Sequence, residues 1–164
     1  MDHTLRHFEE SVFIAVSPSD VFKFADNHAN FSSHMNKSSW MMMGSKMNTK
    51  IDEGKGQKIG SHIQMDAKFF GISLFLDEVI DKYEPPFLKS WHTVGNINLL
   101  VICHYRLGFV INPVDGFSEM KVYIDYELPK SLIGKILGNL FAGIYARWCV
   151  KQMLYGTMEH FRKQ

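Results

Sequence analysis

Two hydrophobic rhythms divide the chain. From Phe8 to Leu128 apolar residues mostly recur at every second position. From Pro129 onward they recur at helical spacing. The alternating part begins with Phe8–Val16, which predicts a first strand. Ser17-Pro18-Ser19-Asp20 then reads as a helix start: Ser17 suits the cap, Pro18 the first helical position, and Asp20 the acid of a capping box. Val21, Phe22, Phe24 and Ala25 form the buried side of that short helix. A second short helix, Ala29–Met35, turns Phe31 and Met35 inward.

Strands are predicted at Trp40–Met47, Ile59–Phe69, Ile72–Tyr83, Phe87–Val94, Leu99–Ile111 and Met120–Leu128, with a turn at Gly54-Lys55-Gly56. The strand Ile59–Phe69 and the last two alternate cleanly. Ile59, Ser61, Ile63, Met65, Ala67 and Phe69 share one face. So do Leu99, Val101, Cys103, Tyr105, Leu107, Phe109 and Ile111, and then Met120, Val122, Ile124, Tyr126 and Leu128. Asn112-Pro113-Val114-Asp115-Gly116 makes the turn between the last two strands. The inner face of Ile72–Tyr83 stays open, because Leu74 and Leu76 compete with Phe75 and Val79. In the terminal segment Ile133, Leu137, Leu140, Phe141, Ile144 and Trp148 fall on one arc, drifting to Val150, Leu154, Met158 and Phe161. A helix of about 30 residues is ~45 Å long, enough to lie across a sheet.

Strand, two short helices, six strands and a long helix make an α+β chain. Its antiparallel sheet of about seven strands must cover one apolar face, and only the last helix is long enough to do so. A strongly curved sheet would leave an apolar cavity beneath that helix. The 164 residues are read as a single domain, 1–164, with no repeat or linker. The helix start Ser17-Pro18-Ser19-Asp20-Val21-Phe22 carries a family resemblance. So do the segment from Glu78 through Val79, Ile80, Asp81, Lys82, Tyr83 and Glu84 to Pro85-Pro86 with Trp91 beyond it, and the turn Pro113-Val114-Asp115-Gly116. In this order they resemble the START-like, or SRPBCC, superfamily, nearest its polyketide cyclase/dehydrase-like branch. The resemblance implies a helix-grip fold and an apolar small-molecule ligand. The superfamily also contains cyclases and regulators of other proteins, so fold alone does not fix function.

Composition narrows the partners. Eighteen basic and 17 acidic residues give a net charge of +1, too little to favour nucleic acid or anionic surfaces by overall field. The 13 Phe and 10 Met suit an apolar pocket as well as a core. Cys103 and Cys149 read as reduced thiols, and the eight histidines show no zinc-type spacing. No nucleotide-binding or nucleophile-elbow motif occurs, and no cofactor, metal or catalytic residue is assigned. Met1–Glu10 lacks the apolar core of a signal peptide. Leu132–Val150 is interrupted by Lys135, Asn139 and Arg147, so no stable membrane insertion is expected and the chain is read as cytoplasmic.

The expected activity is therefore binding or transport of a lipid, quinone or aromatic molecule, without catalysis. A polyketide cyclase or dehydratase and a regulatory interaction module are the alternatives. The expected ligand-binding set is Ile63, Met65, Tyr105, Val122, Ile124, Tyr126, Leu137, Phe141, Ile144, Arg147 and Trp148. Tyr105 and Tyr126 each need a hydroxyl partner, which either protein or ligand can supply, and Ser61 is a further inward hydroxyl or a small spacer. Arg147 and Lys151 either meet a ligand acid or lay their stems over apolar neighbours with the charge in water.

Overall fold

A computed structural model describes residues 5–31, 47–69 and 71–163. The order is β1 (Arg6–Ile14), α1 (Pro18–Asp26), α2 (His28–Phe31), β2 (Met47–Ile51), β3 (His62–Phe69), β4 (Ile72–Glu84), β5 (Leu88–Thr93), β6 (Tyr105–Val114), β7 (Phe117–Tyr126) and α3 (Leu132–Arg162). The strands form one antiparallel sheet in the order β1-β7-β6-β5-β4-β3-β2, so the first strand pairs with the last. This is the expected helix-grip architecture. The predicted strand over Trp40–Met47 reaches the described residues only at Met47, and the predicted helix beyond Phe31 also lies outside them.

Local chemistry sets the boundaries. Ser17 caps α1 by accepting from the Asp20 amide at 3.3 Å, and its hydroxyl donates to the Asp20 carboxylate at 2.6 Å. Ser131 caps α3 in the same way through the Gly134 amide at 3.0 Å. The β6–β7 turn is tighter than expected. It consists of Asp115 and Gly116 alone, with φ of 47° and 84°, the backbone that an Asp-Gly hairpin favours. β6 therefore runs on through Asn112 and Pro113. Pro113 is tolerated because β5 pairs with β6 only as far as Val110, so no second ladder needs its amide.

Two strand expectations and one helix expectation need correction. Ile59 is exposed, and β3 starts only at His62. Residues Leu99–His104 are not strand, so the shared face of β6 begins at Tyr105 and continues through Leu107, Phe109 and Ile111. Phe24 is only partly buried and stacks on His160 at 4.2 Å. On β4 the even positions win: Leu76, Glu78 and Ile80 face inward. A bulge between Ile80 and Lys82 then reverses the parity, and Tyr83 packs edge-on against the buried Phe22. Phe22, Phe31, Trp91 and Phe109 join in edge-to-face contacts 5.2–6.5 Å apart that fill the end of the core under α1 and α2.

The larger correction concerns α3. The expected apolar arc is not the one that packs. Ile133, Leu140, Phe141 and Ile144 are exposed, and Leu137 and Trp148 are half-buried. The buried row is Gly134, Gly138, Ala142, Ala146 and Val150, spaced four apart, with Cys149, Met153, Leu154 and Thr157 beside it. The helix packs on β1 and β7, and its first turns lie against segment 128–131 and Val101. A Cβ on Gly138 would meet the Val101 carbonyl oxygen and the Pro129 ring at 3.0 Å. The helix is thus apolar on two sides, small where it packs and bulky where it faces out.

This arrangement separates two substitutions. Ala146→Leu should cost about 1–3 kcal/mol by overpacking the seam. Leu140→Ala should stay within about 0.5 kcal/mol, as at other surface positions. Urea or thermal unfolding checks both. A loss for Leu140→Ala of the 2–5 kcal/mol typical of a core leucine would restore the bulky arc to the interior.

Candidate functional site

The inner face of the sheet is mostly apolar, and two clusters of buried polar residues stand out on or against it. Asp26, at the end of α1, is buried against Lys89 of β5. The Lys89 ammonium donates to Asp26 Oδ1 at 2.7 Å and to its carbonyl at 3.0 Å. Asp26 Oδ2 accepts from the Tyr83 hydroxyl at 2.9 Å and from Gln57 Nε2 at 3.0 Å. Burial lowers the Lys89 pKa, opposed by its bond to Asp26. Every Asp26 oxygen is thus engaged, and the cluster clamps α1 to the sheet.

The second cluster is differently finished. Glu78 of β4 is buried, with 3% of its surface exposed. Its Oε1 accepts from Trp91 Nε1 of β5 at 3.0 Å and from the Tyr105 hydroxyl at the start of β6. Its Oε2 is also buried and has no hydrogen-bond partner among the described residues. Tyr145 and Cys149 of α3 lie close enough to feel the Glu78 charge and each other. Burial pushes the Glu78 carboxyl up to about 7, against the two donated hydrogen bonds. Burial and the adjacent Glu78 raise Tyr105 well above the ordinary phenol range, and burial pushes Cys149 up to about 12. Near neutral pH Glu78 therefore exchanges between carboxylate and acid. Because Oε1 already accepts two bonds, the acid proton belongs on Oε2, the oxygen left without a protein partner.

The expected ligand-binding residues divide by face. Ile63, Met65, Val122, Ile124 and Tyr126 are buried and point inward, and Tyr105 carries the bond to Glu78. Leu137 and Trp148 lie at the margin. Phe141 and Ile144 face out, and Arg147 is exposed with its guanidinium 5.4 Å from the centre of the Phe8 ring. Lys151 is also exposed, 3.8 Å from Glu10. Both cations thus lie over β1 with their charge at the surface. Ser61 turns to the β2–β3 loop, accepting from the Gly56 amide at 2.8 Å and donating to Asp52 at 2.5 Å. Both cysteines are free. Among the described residues no three His, Cys, Asp or Glu side chains are placed to hold a metal ion.

Sequence reasoning missed Glu78, Trp91 and Lys89 as site residues. The signal for Glu78 was present: it shares parity with Leu74, Leu76 and Ile80. Tyr83, out of phase beyond the bulge, obscured that parity.

The raised pKa of Glu78 has a consequence for stability. At acid pH folded and unfolded chains both hold the proton, and the group contributes nothing. Between 4.5 and about 7 the unfolded chain releases the proton while the folded chain keeps it, so stability falls as pH rises. The loss levels off above the folded value at about 3 kcal/mol. Glu78→Gln keeps an oxygen for Trp91 and Tyr105 and cannot ionise. It should match the wild type at acid pH and exceed it by up to that amount at alkaline pH. Denaturant titrations across pH read this difference, and a constant offset would mean that Glu78 titrates normally.

No family model and no curated protein sequence matches the chain. Solved structures do. Ara h 8.0201 superposes with a TM-score of 0.63 at 14% identity, covering 98% of this chain and 99% of that one. The Zhui aromatase/cyclase from Streptomyces sp. R1128 gives 0.71 at 10% identity, with 97% and 94% covered. Norcoclaurine synthase from Thalictrum flavum, in complex with dopamine and hydroxybenzaldehyde, gives 0.66 at 11% identity, with 98% and 88% covered. The seven-stranded sheet gripping a long terminal helix is thus a fold this chain shares with these proteins, the helix-grip fold.

Proposed function

We propose that the chain binds a small, largely apolar molecule between the inner face of the sheet and α3, oriented by a hydrogen bond to Glu78. One observation carries this reading: Glu78 Oε2 is buried and no described residue satisfies it. A buried polar atom without a partner costs about 1–3 kcal/mol, which a ligand hydroxyl or carbonyl would recover. Apolar contact with Ile63, Met65 and Ile124 would supply the rest of the affinity, at ~25 cal/mol per Å² of apolar surface buried. That norcoclaurine synthase is seen with dopamine and hydroxybenzaldehyde supports small aromatic molecules as one class to test.

A second reading has its own support. A carboxyl with a pKa of about 7 beside the Tyr105 hydroxyl is poised both to give and to take a proton, which cyclisation and dehydration of carbonyl compounds require. On this reading Glu78 is the acid–base group, while Trp91 and Tyr105 hold its other oxygen.

The ionisation of Glu78 gives the test. A phenol such as 2-naphthol donates to the carboxylate, so its affinity should rise through pH 7 by roughly tenfold, the effect of one ordinary hydrogen bond. An acceptor such as 2-acetylnaphthalene should show the opposite trend, and both trends should flatten in Glu78→Gln. Fluorescence titration reads each affinity. No saturable binding of either compound by the cooperatively folded protein would sink the proposal. Deuterium exchange at the methyl group of bound 2-acetylnaphthalene, faster than in buffer and lost in Glu78→Gln, would favour the acid–base reading over simple binding.

A further inference from the structure

The outer face of α3 is unlike the rest of the surface. Leu132, Ile133, Ile136, Leu140, Phe141 and Ile144 are all exposed, on three successive turns of one helix. Scattered exposed apolar side chains need no explanation, but a contiguous ridge of six marks a contact surface. Its charge is equally segregated. Between Leu128 and Met158 the chain carries Lys130, Lys135, Arg147 and Lys151 and no Asp or Glu, although the whole chain is balanced at +1. Lys130 and Lys135 are exposed beside the ridge, and Arg6 reaches it by donating to Asn139 at 2.7 Å.

From this ridge and its cations we infer that α3 docks the protein on an anionic lipid bilayer, lying in the interface with Leu132 to Ile144 among the acyl chains and the lysines at the headgroups. The chemistry on the two sides of the helix fits this partner. Its packed side is made of small residues, with Gly134 and Gly138 against Pro129, Leu128 and Val101 and the helix as a whole on β1 and β7, so the bulky apolar side is free to face a membrane without unfolding anything. No described helix is long and apolar enough to cross a bilayer, so α3 would rest on it. A second copy of the chain is the poorer occupant. Two such faces pressed together would bring lysine against lysine with no acid between them, whereas anionic headgroups supply the missing charge. The inference stands apart from the role of Glu78, which lies on the opposite side of the helix.

Flotation with vesicles tests it directly. The wild type should float with vesicles of phosphatidylcholine mixed with phosphatidylglycerol, and at least roughly tenfold more weakly with phosphatidylcholine alone or in high salt. Ile136→Asp with Leu140→Asp should abolish flotation, and Lys130→Glu with Lys135→Glu should weaken it roughly tenfold or more. All four positions are solvent-exposed, and circular dichroism melting confirms that the variants fold. Should the aspartate pair fail to fold, the lysine pair and the wild type on the two vesicle types still decide. Three outcomes overturn the inference: wild type that ignores the anionic vesicles, folded variants that float as well as wild type, or a dimer in sedimentation velocity that the aspartate pair dissolves.

Discussion

Close approach of α3 to the β1–β7 pair is the constraint on which the remaining geometry depends. A helix packs this closely only where its inward residues are small, and Gly134, Gly138, Ala142 and Ala146 supply that row at intervals of four, the two glycines lying against Pro129 and Val101 rather than against a strand. Three consequences follow. The bulky residues of the first turns are turned out to solvent. Tyr145 and Cys149, one step around the helix, are turned toward Glu78. The cations Arg147 and Lys151 come to rest over β1, beside Phe8 and Glu10.

This seam also explains which parts of the molecule were legible in the sequence. Strands β3, β6 and β7 alternate because one face is buried and the other wet, and period two reports that directly. The Ser17 cap and the Asp-Gly turn are local chemistry with little competition from the rest of the fold. The inward face of α3 was not legible, because a pattern reading weights large apolar residues, and this helix packs with its small ones. Both of its faces are apolar, so hydrophobicity gave no direction. The spacing of Gly134, Gly138, Ala142 and Ala146 was the better signal. Burial then separated the expected ligand-binding set: the strand residues keep the inward direction that alternation gave them, while Phe141, Ile144 and Arg147 follow the helix outward.

Glu78 failed to stand out for a related reason. One extra residue in β4 reverses its parity, so no single face runs through the whole strand. The two inner carboxylates then have contrasting surroundings. Asp26 meets a cation and two further side-chain donors, and belongs to the structure. Glu78 meets two donors on one oxygen and none among the described residues on the other, and is left with unused bonding capacity in the buried interior. The difference between a structural acid and a chemically available one is here a matter of counting donors.

The Asp26–Lys89 pair bears on how this chain can change over time. Either partner removed alone leaves a charge stranded in the interior, at a cost of about 3–5 kcal/mol, a large part of the total stability of a typical domain. Both replaced together by well-packed apolar residues can be neutral or better. The two positions, 63 residues apart in sequence, are therefore coupled: each bars substitution at the other, and lineages can leave this state only by a paired change. Tyr83 and Gln57, which serve the same carboxylate, would then lose their reason to stay polar, and the end of the core beneath α1 would drift as a unit.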